Sequence, residues 1–146
     1  MLIVKESKME KYMVLESPES KEIKSLNYKY HFNKINGLFA RWGRTKNDDP
    51  AMAPGPEIAD IEITTSCYGV GGRLCPFCYK ANNPNGTYMD FDTFRKIFHR
   101  LPRTLTQIAF GVDSRAETNP DLLNIMRYCR NNDYQTIVPN VTVAEF

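Results

Sequence analysis

The 146-residue chain has no uninterrupted apolar stretch long enough to cross a bilayer, and its opening, MLIVKESKMEKYM, turns charged too soon for a secretory signal peptide. These absences argue against a membrane protein and point to the cytoplasm. A charge excess is missing too. Nineteen Lys and Arg stand against seventeen Asp and Glu, a net charge of +2, and the basic residues are scattered among acids rather than gathered in a stripe. Nucleic-acid binding draws no support from such a balance. Cysteine is scarce at four residues, yet three of them fall within SCYGVGGRLCPFCYK, residues 66–80. In a reducing compartment a cluster that tight points to a metal or redox site, because Cys-x-x-Cys closes too short a loop to staple a fold.

What is present suffices for a modest core: 42% of residues are apolar and 12% aromatic. Residues 1–25 are mixed in charge and weakly periodic, and read as a loose arm or a short edge element. NYKYHFNKINGLFARWG alternates aromatic and polar residues around Asn36-Gly37, which predicts a β-hairpin near 28–43. A proline-rich linker, RTKNDDPAMAPGPE, follows. It divides the chain into an N-terminal extension, 1–55, and a second region, 56–146. The hairpin carries Phe39, Arg41 and Trp42, which could serve an accessory substrate-binding element or simply cover the neighbouring domain.

Beyond the linker the pattern becomes strand, helix, strand, helix, strand. EIADIEITT alternates through Ile58, Ile61 and Ile63; FDTFRKIFHRL places Phe91, Phe94, Ile97, Phe98 and Leu101 at helical spacing behind an Asp90 N-cap. LTQIAFGVD reads as a second strand. Asn119 as N-cap and Pro120 at the first helical position open DLLNIMRYCRNN, and YQTIVPNVTV reads as a third strand. This order predicts a parallel sheet. Glu62, Thr64, Gln107, Asp113, Thr136 and Asn140 give the strands one polar face, as if it looked into the inside of a barrel.

Cys67 falls at the carboxyl end of the first of these strands, where α/β folds bind ligands, and Cys75 and Cys78 follow. Three readings compete. A structural zinc site needs a fourth ligand from Cys129, His31, His99 or a carboxylate, and Cys129 lies on the apolar stripe of its helix. A catalytic zinc needs only three protein ligands, but the His-x-Glu companion of the zinc deaminases is missing. An iron–sulfur cluster held by three thiolates leaves its fourth iron open to a ligand. Gly69-Val70-Gly71-Gly72 lets the backbone wrap closely around such a group.

A strand ending in a cysteine loop that closes Cys-x-aromatic-Cys, followed by βα units, resembles the radical S-adenosylmethionine (radical SAM) superfamily over about residues 57–143. The first interval, Cx7C, is longer than the Cx3C commonest there. The resemblance implies a partial (β/α) barrel, its first three βα units preceded by the hairpin extension. It also implies a [4Fe–4S] cluster on Cys67, Cys75 and Cys78, with S-adenosylmethionine on the remaining iron. Phe77 would lie against the adenine and the backbone at Tyr79 would bond its edge. Gly111, Val112 and Asp113 would stand where the family carries its Gly-Gly-Glu-like stretch, and Asn140 would reach the cofactor rim. The implied chemistry is reductive cleavage of S-adenosylmethionine to a 5′-deoxyadenosyl radical that abstracts hydrogen from a substrate. An electron donor such as flavodoxin or ferredoxin is implied as well. A chain ending after the third strand is expected to be a truncated or split enzyme, with a second chain completing the barrel.

Overall fold

A computed structural model describes residues 11–78, 80–81, 84–110 and 115–141. The chain divides into two compact units at Pro56–Glu57.

The first unit is a four-stranded antiparallel meander: β1 (Met13–Glu16), β2 (Ser20–Lys24), β3 (Lys29–Asn33) and β4 (Phe39–Trp42). Its middle strands alternate strictly. Ile23, Tyr30 and Phe32 are buried, while Glu22 and His31 face each other on the opposite side. The register places Val14, Ile23, Tyr30 and Arg41 in one cross-strand row, and the Arg41 guanidinium lies over the Tyr30 and Phe39 rings. Lys21 and Lys34 are buried against the Glu16 carboxylate, and Lys34 also donates to the Ser17 carbonyl. A buried cation is tolerated only with such partners.

The second unit holds a three-stranded parallel sheet, order β5-β6-β7, formed by Ile58–Asp60, Gln107–Phe110 and Val138–Val141. Helices α1 (Phe91–Phe98) and α2 (Leu122–Arg130) connect the strands. Helix α1 forms where its signals stand: the Asp90 carboxylate accepts from the Thr93 amide at 2.7 Å, and Met89 packs on the same core as Phe94. Phe94, Phe98, Ile125 and Cys129 meet Ile108 and Phe110 in one cluster, so the helices cover the apolar face of the sheet. Pro139 pairs opposite Ile108 on β7, an outer strand, where a missing N–H costs little.

This architecture corrects the expected fold class in three respects. The chain is not a parallel (β/α) barrel segment with an N-terminal hairpin. It joins an antiparallel four-stranded sheet to a separate three-stranded parallel one. The expected hairpin is the β3–β4 half of a meander, and the stretch read as a loose arm or a short edge element supplies the edge strand β1 and the inner strand β2, because Ile23 opposite Tyr30 and Lys21 opposite Phe32 extend the same buried face. The hairpin loop is also wider than a two-residue Asn-Gly turn. Asn33 donates to the Leu38 carbonyl, its side chain accepts from the Ile35 and Asn36 amides, and Gly37 alone takes the left-handed conformation, φ 74°.

Among the described residues the polar side of the parallel sheet belongs to three strands that do not close into a lumen. Asn140 is exposed and donates to Gln107 Oε1 across β6 and β7 at 3.2 Å. Alternation alone does not distinguish a barrel lumen from one solvated face of a small sheet, and three strands with helices on one side produce the latter.

Candidate functional site

The chain after β5 leaves the sheet, makes the cysteine loop and returns to α1 along its own path. Its two stems are zipped together. Thr65 donates its amide to the Thr87 carbonyl at 3.0 Å, Thr87 returns its amide to Thr65 Oγ1 at 2.8 Å, and Met89 donates to the Ile63 carbonyl at 2.9 Å. Thr64 and Tyr88 form an antiparallel bridge between them. Gly86 makes this closure feasible, because a Cβ there would lie 2.3 Å from the Ser66 amide nitrogen. The stems at 63–66 and 86–89 thus form a narrow neck beyond β5, from which the cysteine-bearing segment projects.

Within the loop Cys67, Cys75 and Cys78 are each half-buried, and none of the four cysteines is in a disulfide. The Gly69 amide points at Cys67 Sγ, 3.4 Å away, and the Cys78 amide donates to the Cys75 carbonyl, making a tight Cys-Pro-Phe-Cys turn. Phe77, at the apex of that turn, is 85% exposed, so its ring is available to cover a flat ligand. Lys80 pairs with Glu62 at the base.

The long first interval has a simple form. Val70 and Arg73 exchange two backbone hydrogen bonds of 3.0 Å, and Gly71 and Gly72 between them have φ of 58° and 72°. Two successive positive φ values mark the two-residue hairpin turn that glycine favours. At its root, a Cβ on Gly69 would fall 1.8 Å from the Arg73 carbonyl oxygen and 2.7 Å from the Leu74 nitrogen. The chain therefore leaves at Gly69 and re-enters at Leu74 at nearly the same point, and residues 70–73 stand out as an ear.

Below the loop lies a hydrogen-bonded floor that the motif pattern does not reveal. Asn119, expected to cap α2, instead donates from Nδ2 to the Ile63 carbonyl at 2.6 Å and to the Met89 carbonyl at 2.9 Å, while its Oδ1 accepts from the Asp121 amide. The side chain is consumed in joining the two stems, and α2 starts at Leu122 after an Asp121 that makes no capping bond to the helix. Asp121 accepts the Phe91 amide instead. Thr118 Oγ1 meets Thr64 Oγ1 at 3.0 Å and donates within reach of the Ser66 and Arg115 carbonyls, and Arg115 Nη1 donates to the Gly69 carbonyl at 3.1 Å. Threonine and arginine at these positions belong to no periodic pattern, so nothing in the sequence singles them out.

Among the described residues no three His, Cys, Asp or Glu side chains are already gathered into a metal-holding group. The donor set nevertheless suits a thiophilic metal in type: three thiols on one segment, half-buried and outside any disulfide. Closing such ligands together is ordinarily the work of the metal itself. The other sulfur and imidazole candidates are engaged elsewhere. Cys129 is fully buried in the core, where burial pushes its thiol up to about 12. His99 meets the Tyr128 hydroxyl at 2.7 Å, and His31 lies 3.2 Å from Glu22 in the first unit. Tyr79, Gly111, Val112 and Asp113 lie outside the described residues; Asn140 stands on β7, bonded to Gln107.

No family model, curated protein or solved structure matches the chain. Among the described residues no helix is long and apolar enough to cross a membrane.

Proposed function

We propose that residues 66–88 are the cluster-binding loop of a radical SAM-type enzyme, with Cys67, Cys75 and Cys78 as the ligands of a [4Fe–4S] cluster. One observation carries this reading. Three half-buried thiols share a single loop on a zipped neck at the carboxyl end of a parallel strand, while the fourth cysteine is sealed in the core. When bound, such a cluster would supply the electron that cleaves S-adenosylmethionine.

The chain's own part is to hold and shield. Three thiolates leave one iron for the methionyl amine and carboxylate, Phe77 offers an exposed ring to the adenine, and the Gly69 amide supplies a hydrogen bond to a ligand sulfur. In this reading the backbone at Tyr79, the Gly111–Asp113 stretch and Asn140 would supply the further cofactor contacts. A reducing cytoplasm with a flavodoxin- or ferredoxin-like donor suits thiols kept out of disulfides.

Anaerobic reconstitution with ferrous iron and sulfide tests the reading. The expected product is a brown protein with about four irons and four sulfides per chain, lost on replacing any of the three loop cysteines by alanine and retained in Cys129→Ser. Stoichiometric zinc without iron overturns it.

A further inference from the structure

The segment entering α2 meets the cysteine loop on both sides of its first thiol. Thr118 Oγ1 reaches the Ser66 carbonyl at 3.4 Å, immediately before Cys67, and Arg115 Nη1 donates to the Gly69 carbonyl at 3.1 Å, two residues after it. Ser66 and Gly69 are themselves buried, so the grip acts on inner backbone rather than on a solvated fringe. Both anchors are fixed in turn. Arg115 is bound to Glu117, and the single hydroxyl proton of Thr118 goes to the nearer Arg115 carbonyl at 2.8 Å, so the direct hold on the loop is the Arg115 bond.

We infer that Arg115 is a positioning residue for cluster capture: itself anchored by Thr118 and Glu117, it holds the Gly69 carbonyl so that Cys67 is presented in place. This inference rests on the cluster reading above. Three physical points support it. Cys67 is separated from the other two cysteines by the ear at residues 70–73, whereas Cys75 and Cys78 share one tight turn. A guanidinium bonded to a carbonyl gives a charge-assisted hydrogen bond, stronger than a neutral one. Its charge is permanent, and the pairing with Glu117 keeps the guanidinium in place beside the loop. The Gly69 amide, one peptide plane away from the Arg115 bond, points at Cys67 Sγ, and hydrogen bonds to ligand sulfur are among the levers that set a cluster's potential.

Arg115→Ala, Arg115→Lys and Thr118→Val in the full chain test the inference with two measurements. The first is hydrogen exchange of the Ser66–Leu74 amides in the metal-free, reduced protein, alongside melting temperature as a check on global folding. The second is iron content and reduction potential after anaerobic reconstitution. We expect loop exchange to rise about tenfold in Arg115→Ala with exchange in α1 unchanged, iron uptake to fall, and the potential of any cluster formed to shift. Lysine, which keeps the charge and N–H donors but not the planar fork that reaches Gly69 and Glu117 together, should restore part of each. Thr118→Val guards against a variant that does not fold, and should give the same signs with smaller effects. Wild-type and Arg115→Ala proteins that match in iron, potential and loop exchange overturn the positioning role and leave the cluster reading standing. Wild-type protein that takes up no iron overturns both.

Discussion

The Asn119 side chain and the Ile63 carbonyl, 56 positions apart, are joined by a 2.6 Å hydrogen bond beneath the cysteine loop. The same amide group reaches the Met89 carbonyl, so one buried side chain fastens the outgoing and returning stems of the loop to each other. Asn119→Ala leaves the Met89 carbonyl and the Asp121 amide without these partners in a buried place, and should cost about 2–3 kcal/mol of stability in urea unfolding. Asn119→Asp should cost more at neutral pH, because a carboxylate would then face two carbonyl oxygens, and part of that loss should return on acidification.

The ear is predicted to be dispensable and its root is not. Removing residues 70–73 joins Gly69 to Leu74, whose nitrogen already lies close to it, and converts the cysteine spacing to Cx3Cx2C. The shortened chain should fold with unchanged melting temperature and reconstitute with the same iron content. Gly69→Ala should fail in the full-length chain, because the added methyl would meet backbone oxygen 1.8 Å away at a φ of 70°. A deletion variant that loses iron while remaining folded would show that the ear contributes to the site.

Glu57 supplies a pH dependence. It is buried at the start of the parallel sheet, and desolvation raises its carboxyl from 4.5 to about 7. A carboxyl that holds its proton more tightly when folded adds stability that is complete below about 4.5 and lost as pH rises through about 7. Unfolding midpoints should therefore fall between pH 5.5 and 8, by about 1–2 kcal/mol allowing for partial solvent access. Glu57→Gln should flatten that slope.

Phe94 is the central packing residue of the second unit. It is fully buried, 5.8 Å from the Phe110 ring in an edge arrangement and 5.9 Å from Phe98. Phe94→Ala should cost about 3–5 kcal/mol in equilibrium unfolding. Phe77→Ala, by contrast, removes an exposed ring and should leave stability within about 0.5 kcal/mol.

Local signals proved readable where one residue had one use. Asp90 caps α1, the spacing of Phe94 and Phe98 marks its buried face, and Ile108 and Phe110 mark the inner face of β6. Reading failed where a side chain could serve either of two partners. Asn119 before Pro120 satisfies the pattern of a helix cap, yet the stems offer its amide two carbonyls at once, and tertiary geometry wins. The N-terminal strands were obscured because the residues facing inward include Lys21 and Lys34, whose burial depends on Glu16 rather than on hydrophobicity. The barrel expectation failed for a related reason: polar residues on alternate strand positions report wetness, not curvature. At the site, the cysteines announced themselves by spacing, whereas Arg115 and Thr118 acquire their places only when the chain after β6 comes back against Ser66 and Gly69.

Cys129 has a practical consequence. Buried in the core and protonated across the physiological range, it should resist alkylation for as long as the second unit stays folded, while the three loop thiols remain open to reagent. The protein thus carries an internal clock: the fourth sulfhydryl to react reports the opening of the core, and protection of the other three against that clock measures occupancy of the loop in the same tube.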